Sequence, residues 1–264
     1  MPLTFLPRRV SARLKRAKKD ARTIRERGGD PRYFTFLTVL GIKRPVLIKA
    51  YKLFLRPLTP DLEVAEEMIN GAFRDAIRAT KPYDEFIIDA GAYIGTSAVA
   101  FAKAFPQSMV IALEPEKNNF AVLRMNVWGY RNIIPINAAL GATVGKRTIY
   151  NRRTGEWGFT TIEAPLDCPS PLKLSEVEVV TIDWLMKRYS AKGVDLIKLD
   201  VEGSEKEILE HSHTWLDKTG VIFAELHDRI VVGCGSTFSL ATRGRSNNQS
   251  GEKVLSIRSS IAGS

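Results

Sequence analysis

The chain has 264 residues, of which 44% are hydrophobic and 26% charged, with a formal net charge of +10; that length holds one full α/β domain plus an appendage. Two cysteines, Cys168 and Cys234, exclude a disulfide framework, and beside three histidines they show no zinc-ligand spacing; a divalent metal at Asp200 and Glu202 has no diagnostic ligand spacing either, so no metal site is expected. The first 60 residues carry 16 Lys+Arg against 3 Asp+Glu and the other 204 carry 23 against 26, which confines the basicity to an N-terminal arm and speaks against nucleic acid as the partner of the remainder.

Residues 1–58 read as a basic, mainly helical appendage. MPLTFLPRRV places its charges after a short apolar run, unlike a secretory leader. Residues 8–27 predict a helix with Val10, Leu14, Ala17, Ala21 and Ile24 on one narrow stripe, stopped by Gly28-Gly29-Asp30-Pro31. Phe34, Phe36, Leu37, Val39 and Leu40 follow beside Lys43 and Arg44. No stretch reaches the ~20 apolar residues of a membrane span. The expectation is a cytoplasmic protein whose residues 8–56 make peripheral contact with an anionic membrane.

Residues 59–264 read as the main domain. A helix from Asp61 to about Arg78 precedes Lys81-Pro82. FIIDAGAYIG (86–95) is then a buried strand, a tight glycine turn and the start of a helix over about 96–104. Tyr93 stands where a dinucleotide fold needs its middle glycine, and Asp89 would face a phosphate, so a pyrophosphate is disfavoured. Asp89 suits a ligand with a cationic amine, such as the methionine end of S-adenosylmethionine. A second strand near Val110 ends in Leu113-Glu114-Pro115, where a carboxylate can take both ribose hydroxyls. A helix (about 117–127) and a strand (132–137) bring Asn137-Ala138 to the border of an adenine.

Between 143 and 183 the pattern changes. Arg147–Tyr150, Thr160–Glu163 and Glu178–Ile182 predict short strands around a loop holding Trp157 and Phe159. These rings either stack on a substrate or plug a hairpin. The regular alternation returns with DLIKLD (195–200), Val201–Glu205 and a helix to about His211. The strand Val221–Leu226 follows, leading to His227. Arg243–Ser250 predicts a mobile loop, and Lys253–Ile257 a last strand. Strands alternating with helices indicate a doubly wound, mostly parallel sheet with ligands at the strands' carboxyl ends.

The segments DAGAYIG (89–95), ALEPEKNNFAVLRMNV (112–127), IPINAALGATVGK (134–146), VVTIDWL (179–185), DLIKLDVEGSEKEIL (195–209) and FAELHD (223–228) together resemble the FkbM-type methyltransferases. The octet Lys198 to Glu205 is the most specific of them. The resemblance covers roughly residues 84–230. It implies a class I, Rossmann-like fold, S-adenosylmethionine as cofactor, and O-methylation of a sugar or other small molecule. The cofactor-binding candidates are Asp89, Gly91, Ala92, Gly95, Glu114, Pro115, Asn137, Ala138 and Asp200. The catalytic candidates, ranked as general base, are Asp200, Glu202 and His227. For Glu205 the favoured role is helix capping. Two competing readings stand: a non-catalytic methyltransferase-like module docked on an anionic surface, and an NAD-dependent oxidoreductase, which Tyr93 disfavours.

Overall fold

The computed structural model describes residues 8–259. The part of the leader reading that falls on residues 1–7 lies outside them, as does the end of the main domain after 259. The chain divides into two compact units, the first running to Gly71 and the second starting at Ala72. This packing boundary falls beyond the compositional one at 58/59.

In the first unit, α1 (Arg8–Glu26) buries Ala17, Ala21 and Ile24, and α2 (Arg32–Leu40) buries Phe34 and Leu37. Three residues of the stripe read from the sequence thus pack inside the unit, while Val10 and Leu14 stay half-buried. A short hairpin, β1 (Val46–Ile48) against β2 (Leu53–Leu55), follows. Next comes α3 (Asp61–Ile69). Asp61 is fully buried, and its carboxylate takes a bidentate grip from Arg56, at 2.9 Å on each oxygen. The helix expected to run to Arg78 stops at Ile69. Gly71 adopts φ +88° and breaks it, and α4 (Arg74–Ala79) starts afresh in the second unit.

The second unit is built on a seven-stranded sheet. Its strands and helices in chain order are β3 (Phe86–Ala90), α5 (Thr96–Ala104), β4 (Met109–Leu113), α6 (Lys117–Val127) and β5 (Ile133–Ile136). After an insertion come α7 (Ile182–Arg188), β10 (Val194–Leu199), α8 (Glu205–Glu210), β11 (Thr219–Glu225), α9 (Cys234–Ala241), β12 (Ser246–Ser250) and β13 (Lys253–Ile257). The spatial order is β12-β13-β11-β10-β3-β4-β5, with β13 antiparallel to both its neighbours and the other neighbouring pairs parallel. Counted within the sheet this is 3-2-1-4-5-7-6, the class I methyltransferase arrangement and the expected fold. β3 and β10, buried at every residue, form its centre. The chain leaves β3 in one direction and returns beside it through β10, so the switch in strand order lies between them.

Two readings of the sequence are corrected here. Ser246–Ser250 is an edge strand paired with β13 and not a mobile loop. Its SNNQS sequence has no apolar alternation because every residue is exposed, and polar side chains blunt such an edge. The insertion forms its own four-stranded sheet, β6 (Ala139–Leu140), β7 (Gly145–Asn151), β8 (Phe159–Thr160) and β9 (Leu172–Val180), in the order β6-β9-β7-β8. Thr161–Glu163 lies outside any strand, and β9 starts at Leu172 and ends before Thr181, whose hydroxyl caps α7.

Candidate functional site

A cleft of about 640 Å³, partly open to solvent, sits over the carboxyl ends of β3, β4 and β10. Gly91 and Tyr93 line it from the glycine turn, Glu114 and Pro115 from the end of β4, and Ala138 to Leu140 from the segment after β5. Asp200 and Glu202 line it from the end of β10, and Trp157, Phe159, Thr160 and Thr161 from the insertion.

The turn after β3 is held from below, where the Gly91 and Ala92 N–H groups donate to the Leu113 carbonyl at 3.1 and 2.8 Å. Gly91 has φ +79°, and a Cβ there would stand 1.8 Å from the Asp200 carbonyl oxygen. Only glycine allows this approach between the ends of β3 and β10. Ala92 is buried in the core, and a Cβ on Gly95 would meet Leu123 of α6 at 2.6 Å. These two candidates therefore serve packing and stay outside the cleft lining.

Glu114 is 5% exposed, and the chain folds around its carboxylate. One oxygen accepts from the Tyr93 N–H at 2.9 Å, the other from the Glu116 N–H at 2.9 Å and the Asn119 amide at 3.4 Å. Burial pushes this carboxyl up to about 8, against the pull of the two backbone donors. Asn137 does not border the cleft; its amide donates to the Glu114 and Pro115 carbonyls at 2.9 and 3.0 Å, which fixes the end of β4. Ala138 beside it does line the cleft.

Asp89 departs from its expected place. It is fully buried and absent from the cleft lining. Its register partner across the sheet is Lys198 of β10. The Lys198 ammonium lies 3.5 Å from one Asp89 oxygen, and Ser97 donates to the other at 2.6 Å. Asp89 thus faces a cation inside the protein, one that it shares with Asp200, while its Oδ1 keeps no hydrogen-bond partner. Burial raises the Asp89 carboxyl, and Lys198 opposes the rise. Lys198, overlooked in the sequence as a candidate, also reaches Asp200 at 3.1 Å and donates to the Gly91 carbonyl at 2.7 Å. Burial opposes its charge, but Asp200 and Asp89 outweigh that and raise its pKa.

The three catalytic candidates come together. His227 Nε2 lies 3.9 Å from Asp200 and 3.8 Å from Glu202. Glu202 adopts φ +51°, a conformation an L residue holds only when its surroundings enforce it. Arg152, itself buried, pairs with both Glu202 and Asp167. No sequence signal marked Arg152; it falls in an Arg-Arg pair that read as loop. Burial raises Glu202 to about 7, partly offset by His227. For Asp200, burial pushes upward, but Lys198 and then His227 prevail and lower it. His227 is fully buried and outside the cleft lining. Its Nδ1 meets Glu205 at 2.6 Å. Burial opposes its charge, but the Glu205 bond and the neighbouring carboxylates raise it to about 9. Glu205 accepts from the Val201 and Gly203 N–H groups, so it stitches the loop before α8. Of the two aromatic rings, Phe159 packs on Ala139, Ile149, Val177 and Val179, whereas Trp157 stays 43% exposed at the cleft.

These features fit S-adenosylmethionine. Gly91 lines the cleft floor, Glu114 offers a carboxyl group at its side, and Pro115, Ala138 and Leu140 supply an apolar wall.

A family model described as the methyltransferase FkbM domain matches residues 89–239. Methyltransferase 1 of Beauveria bassiana (strain ARSEF 2860) is 28% identical over 147 residues, 48% of this chain and 58% of that protein. Methyltransferase sdnD of Sordaria araneosa is 24% identical over 163 residues, 50% of this chain and 62% of that protein. The chain thus spans about three-fifths of the length of these curated relatives. The SAH-bound methyltransferase PaMTH1 of Podospora anserina is 13% identical, with a TM-score of 0.40 over 96% of this chain and 88% of that one. The chain belongs to the FkbM methyltransferase family, whose methyl donor is S-adenosylmethionine.

Proposed function

We propose that this protein transfers a methyl group from S-adenosylmethionine to a hydroxyl of a sugar or other small molecule. The observation that carries the reading is that one cleft holds both the donor-side residues, Gly91 and Glu114, and two further carboxylates, Asp200 and Glu202. A hydroxyl acceptor must lose a proton as it is methylated, and Glu202, raised to about 7, is poised to take one. Bound S-adenosylmethionine supplies a methyl group already activated on a sulfonium. The chain's part is then to align the acceptor, worth ~7–11 kcal/mol, and to remove its proton, worth a factor of about 10²–10⁴. Glu114 holds the ribose; Asp200, kept ionised by Lys198, orients the acceptor; the buried His227 sets the field around both carboxylates. Trp157 offers an exposed ring on which a sugar can stack.

Isotope-labelled methyl transfer to cell extracts, with the product's new methyl located by NMR, tests this reading. An O-methylated product supports it. A methylated nitrogen or carbon refutes the hydroxyl acceptor, and binding of S-adenosylmethionine without any transfer favours the non-catalytic module.

The first unit supports a second statement about partners. Among the described residues no helix is long and apolar enough to cross a membrane. Tyr33, Phe36 and Leu40, spaced on one side of α2, are nonetheless 50–57% exposed, in a unit rich in Lys and Arg. We propose that this face rests on an anionic membrane, at about 1 kcal/mol per basic residue near the surface. Full-length protein should co-sediment with anionic vesicles in a salt-sensitive way, and Phe36→Asp should release it. Absence of salt-sensitive binding by the wild type refutes the contact.

A further inference from the structure

The geometry points to a divalent cation site formed by His227 Nε2 and the carboxylates of Asp200 and Glu202, with Glu225 beside them. His227 is fully buried, and its Nε2 has no hydrogen-bond partner. Three carboxylates surround that atom: Asp200 at 3.9 Å, Glu202 at 3.8 Å and Glu225 at 3.8 Å. The ligand atoms of Asp200, Glu202 and His227 lie within 4.8 Å of one another. A cation about 2.2 Å from each ligand holds its ligands roughly 3–4.4 Å apart, so the atoms need only close slightly upon it.

The surroundings are those of a ligating imidazole. Glu205 accepts from the Val201 and Gly203 N–H groups and stands 2.6 Å from His227 Nδ1. A carboxylate can only accept, so the Nδ1 hydrogen is fixed there, and Nε2 is the nitrogen turned toward the three acids; a cation binding there displaces the Nε2 proton to solvent and takes its lone pair. A carboxylate behind an imidazole is the usual outer support of a metal-binding histidine. Glu202 is aimed inward by its φ of +51° and held by Arg152. One imidazole nitrogen with several carboxylate oxygens suits Mn²⁺, intermediate between oxygen-seeking Mg²⁺ and nitrogen-seeking Zn²⁺. A rival grouping of Glu225, His227 and Glu252 exists, but Glu252 is exposed and engaged by Arg229 at 3.1 Å.

Asp200 and Glu202 also line the cleft, so the cation would keep positions open toward it. There it would coordinate an acceptor hydroxyl and lower its pKa. This consequence rests on the hydroxyl-acceptor reading, whereas the cation site does not.

Titration of the full-length protein with Mn²⁺, read by the electron paramagnetic resonance of the free ion, tests the site. One Mn²⁺ should bind per chain, and the bound ion's spin-echo modulation should show coupling to a single imidazole ¹⁴N. Asp200→Asn should weaken binding at least about tenfold, while Glu252→Gln leaves it within about twofold. No binding, no ¹⁴N coupling, or loss of binding in Glu252→Gln instead of Asp200→Asn overturns the site. The spectroscopic readout uses the wild type, so it stands even where a variant fails to fold. S-adenosylmethionine binding, measured separately by calorimetry, keeps the outcomes apart: a protein that binds it but not Mn²⁺ loses only this site.

Discussion

Glu114→Gln isolates the charge of the buried carboxylate at the end of β4. The folded chain keeps the Glu114 proton up to about pH 8, whereas an ordinary glutamate releases it near 4.5. Between these values folding takes up a proton, so wild-type stability falls as pH rises, by at most about 1.4 kcal/mol per pH unit. Solvent at the cleft narrows the pH window over which that slope holds and does not change the slope itself. Glutamine does not titrate and lacks this slope. It also cannot accept from both the Tyr93 and Glu116 N–H groups, because one end of its amide is a donor. A constant loss of about 1–3 kcal/mol follows from the orphaned backbone group. The variant should therefore be clearly weaker than wild type near pH 5, and the gap should narrow toward pH 8. Urea denaturation across that range measures it. Parallel stability curves for the two proteins would show that Glu114 is ionised throughout and refute the reasoning. S-adenosylmethionine affinity, followed by calorimetry in the same samples, should drop by about 1 kcal/mol in the variant where Glu114 holds the ribose, the worth of a hydrogen bond to a carboxyl that keeps its proton.

Gly91→Ala should cost at least ~2 kcal/mol, about 1–2 from the left-handed backbone and more from a Cβ 1.8 Å from the Asp200 carbonyl oxygen, and it should lose S-adenosylmethionine binding; an unchanged denaturation midpoint would contradict the close packing of the two strand ends. Lys198→Met leaves the fully buried Asp89 and the half-buried Asp200 without their cation, at about 3–5 kcal/mol, most of it from Asp89. The loss should be smaller at low pH, where the abandoned carboxylates take up protons, and a pH-independent loss would point to packing instead. Trp157→Ala should raise KM for the acceptor while leaving S-adenosylmethionine affinity within about twofold, since the ring is 43% exposed at the cleft and its indole N–H is turned to the Thr154 carbonyl; an equal loss for both ligands would place the ring on the donor.

The parallel half of the fold was legible because its signals are local. Apolar runs of strand length, a glycine turn and helical spacing stand next to one another from Phe86 to Ile136, and the expected helices at 96–104 and 117–127 have those bounds in the structure. Where pairing alone makes an element, the sequence was silent. β12 consists of SNNQS and exists through its ladder to β13 and the neighbouring Arg245, whose guanidinium binds the Thr219 and Gly220 carbonyls. The break between α3 and α4 escaped notice for the opposite reason. The apolar spacing of Val64, Met68 and Ala72 runs smoothly past Gly71, and only the φ of +88° shows that the chain turns there.

The site was legible as a set of acids at strand ends but not as a circuit. Asp89 illustrates the limit: an acid after a buried strand reads as a ligand group, yet its partner Lys198 lies 109 positions away and becomes visible only through strand register. The octet Lys198 to Glu205 is specific for the same reason. Lys198 balances Asp89 and Asp200, Glu202 answers Arg152, and Glu205 secures both the loop backbone and His227. A buried charge that loses its partner is costly, so each member constrains the next. Asp200 and Glu202 are the points at which this circuit meets the cleft. A ligand that brings positive charge there relieves three crowded carboxylates, and that places the reacting groups and the candidate cation site on the same few atoms.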